Sequence, residues 1–168
     1  MHALYLISVW MHIMAAVIWL GGTIFLALVF IPAVRRPEFG SIAVELILWT
    51  VRRFRLIGWL CFLVFITTGA MNLIFRGVTW RDVFDPLFWR GSFGSVLTLK
   101  LATVALIIAI SAVHDFVIGP RATAAWQQDA KSQATVRLRK QAVQIARINL
   151  FLALIAVALG TMLVRGSP

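Results

Sequence analysis

Residues 4–31, LYLISVWMHIMAAVIWLGGTIFLALVFI, form one apolar run without any aspartate, glutamate, lysine or arginine. A helix needs about 20 apolar residues to cross the hydrocarbon core of a bilayer, so this run is long enough. Three more apolar runs follow, at residues 56–75, 96–118 and 148–164, and of these only the run 96–118 contains charged residues, Lys100 and Asp115. Backbone polar groups must be satisfied within each segment in lipid, so the sequence predicts four transmembrane α-helices.

The composition supports an integral membrane protein. Of the 168 residues, 61% are hydrophobic and 13% are charged, and the mean hydropathy is +0.93. Soluble domains are only about half apolar. We therefore predict an all-α four-helix bundle, with residues 1–168 forming a single transmembrane domain. Residues 126–147 contain no proline or glycine, so we expect the last helix to extend N-terminally into the cytoplasm.

The first run differs from a secretory signal peptide, because no basic residue precedes it and no small-residue cleavage pattern follows. We expect it to be retained as a helix. Pro32 and the basic residues after it predict that this helix ends at residue 31.

The charges of the loops predict the orientation of the chain. The first and third loops are basic, whereas the second has nearly equal numbers of basic and acidic residues. The basic residues are Arg35, Arg36, Arg52, Arg53 and Arg55 in the first loop, and Arg121, Lys131, Arg137, Arg139, Lys140 and Arg147 in the third. The positive-inside rule then places both loops in the cytoplasm and both termini on the outer, periplasmic side. Since this accounts for the net charge of +10, we expect lipid headgroups and no nucleic acid as partners.

His12 lies inside the first apolar run, where an imidazole loses its hydration. It is either a neutral ring bonded to Ser8 or a neighbouring helix, or a ligand-binding group. Small and polar residues at steps of three and four predict that the face containing His12 turns inward. This face comprises Ser8, His12, Ala15, Ala16, Trp19, Gly22 and Thr23.

Four methionines lie in the outer half of the predicted bundle. Met11 and Met14 flank His12, whereas Met71 and Met162 lie near the outer ends of the second and fourth helices. Thioethers fill irregular gaps in apolar cores, and they also bind soft metals, so packing and ligation are both open.

Depth separates the remaining ionisable residues. At 1.5 Å per residue, His12 lies about 12 Å and Lys100 about 6–10 Å below the outer surface, so we expect similar depths for both. Lys100 either contributes to a site there or extends its ammonium to the headgroups. His114 lies about 21 Å beyond Lys100. With Asp115 it is predicted to cap the inner end of the third helix and to pair with a loop arginine, and the alternative is that it marks an inner haem level.

Five motifs allow a comparison with known families. The first is H-x6-W-x-G-G at His12, Trp19, Gly21 and Gly22, followed by Pro32, Arg35 and Arg36. The others are RRFRLIGW at 52–59, TTGAMN at 67–72, LTLKLA at 97–102 and ARINLFLALIAVALG at 146–160. Together they resemble the membrane domain of the copper-resistance protein D (CopD) family. This resemblance implies copper uptake or tolerance, a multi-pass location in the bacterial inner membrane, and His12 as a copper ligand.

The histidine of the first helix and the Lys100–Leu101 pair also resemble the HemJ group of membrane protoporphyrinogen oxidases. That resemblance implies haem b, with His12 as an axial ligand and Lys100 and Trp19 beside the porphyrin. The Leu-Pro-Arg stretch of that group is absent here.

Copper is the first functional hypothesis. Cu(I) prefers imidazole and thioether ligands, so a subset of Met11, Met14, Met71 and Met162 joins His12. The most specific version uses His12, Met14 and a methionine from another helix. Metal handling or haem binding is favoured over hydrolase or transferase chemistry, and no catalytic residue is assigned.

The alternatives are haem-based electron transfer or oxidation, and an accessory subunit of a larger respiratory complex. In a subunit, tryptophans would form the contact surfaces, namely Trp10, Trp19, Trp49 and Trp59. A periplasmic copper donor and a second copy of the chain are the other candidate partners.

Overall fold

The computed structural model describes residues 2–129 and 132–165, so Lys131 lies outside the described residues. Within those ranges the protein is 94% helical and has no strand. Four helices are long and apolar enough to cross a membrane: His2–Val34, Ala43–Phe75, Ser92–Gln128 and Gln133–Arg165. They are called the first to fourth helix below. The predicted all-α transmembrane fold class is therefore confirmed.

Each helix extends beyond the apolar run that predicted it. The fourth helix begins at Gln133, well before residue 148, and its basic first half continues the same backbone hydrogen bonding. Ser132 caps this helix, because its Oγ accepts a hydrogen bond from the Thr135 backbone N–H at 3.1 Å. Apolar length therefore indicates the part of a helix that fits a bilayer, whereas capping determines where the helix begins.

Two π-helical turns interrupt the first and third helices, and each is followed by a proline. The turns are Leu26–Phe30 and His114–Ile118, and Pro32 and Pro120 come two residues later. A proline has no N–H for the carbonyl four residues earlier, and its ring clashes with that carbonyl. The widened turn accommodates this, so the first helix continues to Val34. The prediction that Pro32 ends the helix was therefore wrong.

The chain forms two compact units, Met1–Trp80 and Arg81–Pro168. In the first unit, the first and second helices pack together through the predicted small and polar face. Ser8 and Ala15 are buried, and the Ser8 hydroxyl donates to the Thr68 carbonyl at 3.4 Å. At the end of this pair near the N-terminus, Tyr5 packs edge-on against Phe75 with ring centroids 5.8 Å apart. The inward orientation of this face is confirmed.

In the second unit, the third and fourth helices pack through small and aliphatic side chains. The buried ones are Leu97, Thr103, Ile107, Ser111, Ala153 and Leu159. Two short helices, Trp80–Phe84 and Pro86–Arg90, precede the third helix. A side chain at Gly94 would overlap the Phe88 backbone, so only glycine allows the second short helix to lie this close to the third helix.

Candidate functional site

His12 lies half-buried between the first and second helices. Its Nδ1 is 2.7 Å from the Thr68 hydroxyl, and its ring packs edge-on against Phe65 with centroids 5.2 Å apart. The ring also lies over Gly69, where a Cβ would be 3.7 Å from His12 Cε1. The imidazole is therefore held in one orientation between the two helices.

Thr68 is the partner of His12 that the sequence analysis missed. It is 3% exposed and contacts two polar residues of the first helix, Ser8 through its carbonyl and His12 through its hydroxyl. The available signal was the TTGAMN motif, in which Thr68 and Gly69 are small residues that let the first helix approach. Of the alternatives for His12, a hydrogen bond to a neighbouring helix is present, and Thr68 is its partner there.

Trp19 and Gly22 of the first helix contact two residues of the RRFRLIGW motif in the second helix, Gly58 and Phe54. The Trp19 indole lies over Gly58, with Cδ1 and Nε1 each 3.5 Å from where a Cβ would be. Phe54 occupies the space that a side chain at Gly22 would need. Trp19 also packs against Phe62, with centroids 5.1 Å apart. The H-x6-W-x-G-G motif and the two motifs of the second helix therefore pair across one interface.

Lys100 lies in the second unit. Its Nζ would be 3.3 Å from a Cβ at Gly160, so its ammonium lies against the fourth helix near the end of the ARINLFLALIAVALG motif. Asn149, in the same motif, donates from Nδ2 to the Ser111 hydroxyl at 2.8 Å. The LTLKLA and ARINLFLALIAVALG motifs thus contact each other within the second unit, through Lys100 and Gly160.

The sequence predicted that His114 caps the inner end of the third helix, but His114 lies inside that helix. The helix continues to Gln128, and His114 begins the π-helical turn before Pro120. Its Nδ1 is 3.0 Å from the Asp115 carboxylate, and the two side chains are 28% and 19% exposed. The expected end was wrong because the helix continues through the widened turn.

A comparison with family models identifies the chain. The model described as Copper resistance protein D matches residues 48–163, about two-thirds of the chain. The chain belongs to the CopD family. No curated protein and no solved structure matches it significantly. The match supports a membrane function related to copper resistance, and it gives no support to the HemJ resemblance or to haem.

The matched range of this CopD protein contains four of the five motifs and begins after the first helix. His12 and Trp19 lie outside it, so the site at His12 depends on the geometry described above. The match does include the residues that His12 contacts, namely Phe65, Thr68 and Gly69.

The methionines differ in their positions around His12. Met14 follows His12 by two residues, about 200° around the helix, so the two side chains leave the first helix on nearly opposite sides. Met11 and Met71 belong to the same helix pair and are 41% and 40% exposed. Met162 belongs to the second unit. Among the described residues, no group of three or more histidine, cysteine, aspartate or glutamate side chains could hold a metal ion.

Proposed function

We propose that this CopD protein binds Cu(I) at His12 as its cargo, in copper uptake or tolerance across the inner membrane. The supporting observation is the imidazole itself, half-buried between two apolar helices and held by the Thr68 hydroxyl at 2.7 Å. Metal-binding histidines are usually oriented by a hydrogen bond from the ring nitrogen that does not bind the metal. The match to the CopD family is the reason for proposing copper as the metal.

The proposed donors are one imidazole and one or two thioethers, a set that suits Cu(I). Met11 comes before Met14, because it lies about 100° from His12 around the first helix and Met14 lies about 200° away. Met71 is the candidate from the second helix of the same unit. Met162 is a donor only if the two units meet at this site. In the proposed orientation, with both termini outside, the ion arrives from a copper donor in the periplasm.

Copper retention by the purified protein tests the proposal. Protein loaded with Cu(I) in detergent is washed with a competing chelator, and the retained copper is measured per chain by elemental analysis. We expect His12→Ala to lose the retained copper, since it removes the only nitrogen donor of the proposed site. Met11→Leu and Met71→Leu are expected to weaken retention separately.

His114→Ala is the matched control, because it removes an imidazole from the second unit and leaves the proposed site intact. It should retain copper as the parent protein does. Equal retention by the parent protein and His12→Ala would refute the site. X-ray absorption of the loaded protein then identifies the donors, with sulfur and nitrogen neighbours expected around copper.

A further inference from the structure

Thr68 makes two hydrogen bonds through one hydroxyl group, and it has only one hydrogen to give. Its Oγ1 donates to the Val64 carbonyl one turn earlier in the second helix. The same oxygen lies 2.7 Å from His12 Nδ1. Since the hydroxyl hydrogen points to Val64, the oxygen can only accept from the ring, and the hydrogen between them belongs to Nδ1.

We infer that Thr68 is a positioning residue that holds neutral His12 as the Nδ1–H tautomer and so places the basic lone pair of the ring on Nε2. A neutral imidazole carries one hydrogen, and a metal can bind only the other nitrogen. With the opposite tautomer, Nε2 would have to lose its hydrogen before it could bind a metal. This inference rests on the proposed function only for its consequence, the affinity for copper.

The surroundings of the hydroxyl support this assignment. Thr68 is 3% exposed, and its own carbonyl accepts the Ser8 hydroxyl, so the residue is fixed at both polar ends. Thr67, its neighbour, bonds back to the helix in the same way, at 3.0 Å to the Leu63 carbonyl and 3.2 Å to the Val64 carbonyl. Thr67 is exposed, however, whereas Thr68 is buried and contacts His12.

The tautomer can be measured without copper. Nitrogen NMR of protein labelled with ¹⁵N-histidine distinguishes a protonated ring nitrogen from a bare one, and the His12→Ala variant assigns the signals. We expect Nδ1 of His12 to be protonated and Nε2 to be unprotonated in the parent protein. Thr68→Val keeps the side-chain shape and removes the acceptor, so the Nδ1–H population should fall. Thr68→Ser should restore it, and Thr67→Val should leave it unchanged.

The same variants are then titrated with Cu(I) against the chelator. We expect Thr68→Val to weaken copper binding about 10- to 100-fold, the usual effect of removing a residue that orients a ligand. Thr68→Ser and Thr67→Val should bind as the parent protein does. A bare Nδ1 in the parent protein, or a Thr68→Val tautomer equal to that of Thr67→Val, would overturn the inference. If the tautomer shifts as expected but His12→Ala retains copper, the inference about Thr68 stands and the proposed function fails.

Discussion

Two adjacent glycines of the W-x-G-G motif have different surroundings. A Cβ at Gly22 would overlap the Phe54 ring, whereas a Cβ at Gly21 would meet no atom within 4 Å. The second glycine of the motif therefore has a packing reason, because it admits an aromatic ring from the second helix. The first has none in the described contacts of the helix pair.

Exchanging each glycine for alanine tests this contact. Gly22→Ala should lower the free energy of unfolding by about 1–3 kcal/mol, the usual cost of overpacking. Gly21→Ala is the control, and alanine is favoured over glycine in a helix by up to about 1 kcal/mol. Thermal unfolding of both variants in the same detergent gives the difference.

A second substitution shows whether Phe54 causes the loss. Leucine is smaller than phenylalanine, so Phe54→Leu should make Gly22→Ala less costly than it is in the parent background. Such coupling between contacting residues is typically about 0.5–3 kcal/mol. Equal stability of Gly22→Ala and Gly21→Ala would show that the ring does not occupy this space in the folded protein.

At the level of helices, the sequence predicted which segments cross the membrane and which face of the first helix turns inward. Both follow from patterns within one segment, the length of an apolar run and the three- and four-residue period. The partner of that face could not be predicted in the same way. Thr68 lies 56 residues from His12 in the chain, and the relative register of two helices appears in neither helix alone.

The length of an apolar run also did not predict where the helices end. Pro32 predicts an end to the first helix at residue 31, but a π-helical turn over Leu26–Phe30 accommodates the proline and the helix continues to Val34. The depth of His114 predicts a place at the inner end of the third helix, but His114 lies in the corresponding π-helical turn before Pro120. Both helices therefore end beyond their apolar segments, at Val34 and Gln128.

The contact between Ser111 and Asn149 connects the third and fourth helices. Asn149 Nδ2 donates to the Ser111 hydroxyl, while Asn149 Oδ1 is buried and has no hydrogen-bond partner among the described residues. Hydrogen bonds between transmembrane helices contribute about 0.6 kcal/mol on average and at most about 1.7 kcal/mol. The bond is thus a modest part of the stability of this pair.

A double-mutant cycle should separate the bond from the cost of the buried amide. We expect Ser111→Ala to destabilise the protein by about 1–2 kcal/mol, because it leaves a buried amide N–H without its acceptor. Adding Asn149→Leu should recover part of this loss, since both polar partners are then apolar. The measurement is unfolding in detergent for the parent and the three variants. Additive effects of the two substitutions would mean that the side chains do not interact.

At the scale of the whole molecule, the net charge of +10 is distributed unevenly between the loops. Basic residues concentrate between the first two apolar runs, at residues 35–55, and between the last two, at residues 121–147. The loop between the second and third helices instead exposes aromatic and aliphatic side chains, with Trp80, Phe84 and Leu87 79%, 82% and 72% exposed. This contrast suits a cytoplasmic side rich in arginine and an outer side where aromatic residues lie among the headgroups.

Labelling of single cysteines in intact cells tests this orientation. Cys61 is the only cysteine and is buried, so Cys61→Ala provides a background without thiols. We expect Arg81→Cys to react with a membrane-impermeant maleimide, because the positive-inside rule places its loop outside. Glu38→Cys and Asp129→Cys should react only after the membrane is permeabilised. Labelling of these two in intact cells, with Arg81→Cys protected, would reverse the orientation. It would also place the outer end of the His12 helix pair on the cytoplasmic side, so copper would have to reach His12 from the cytoplasm.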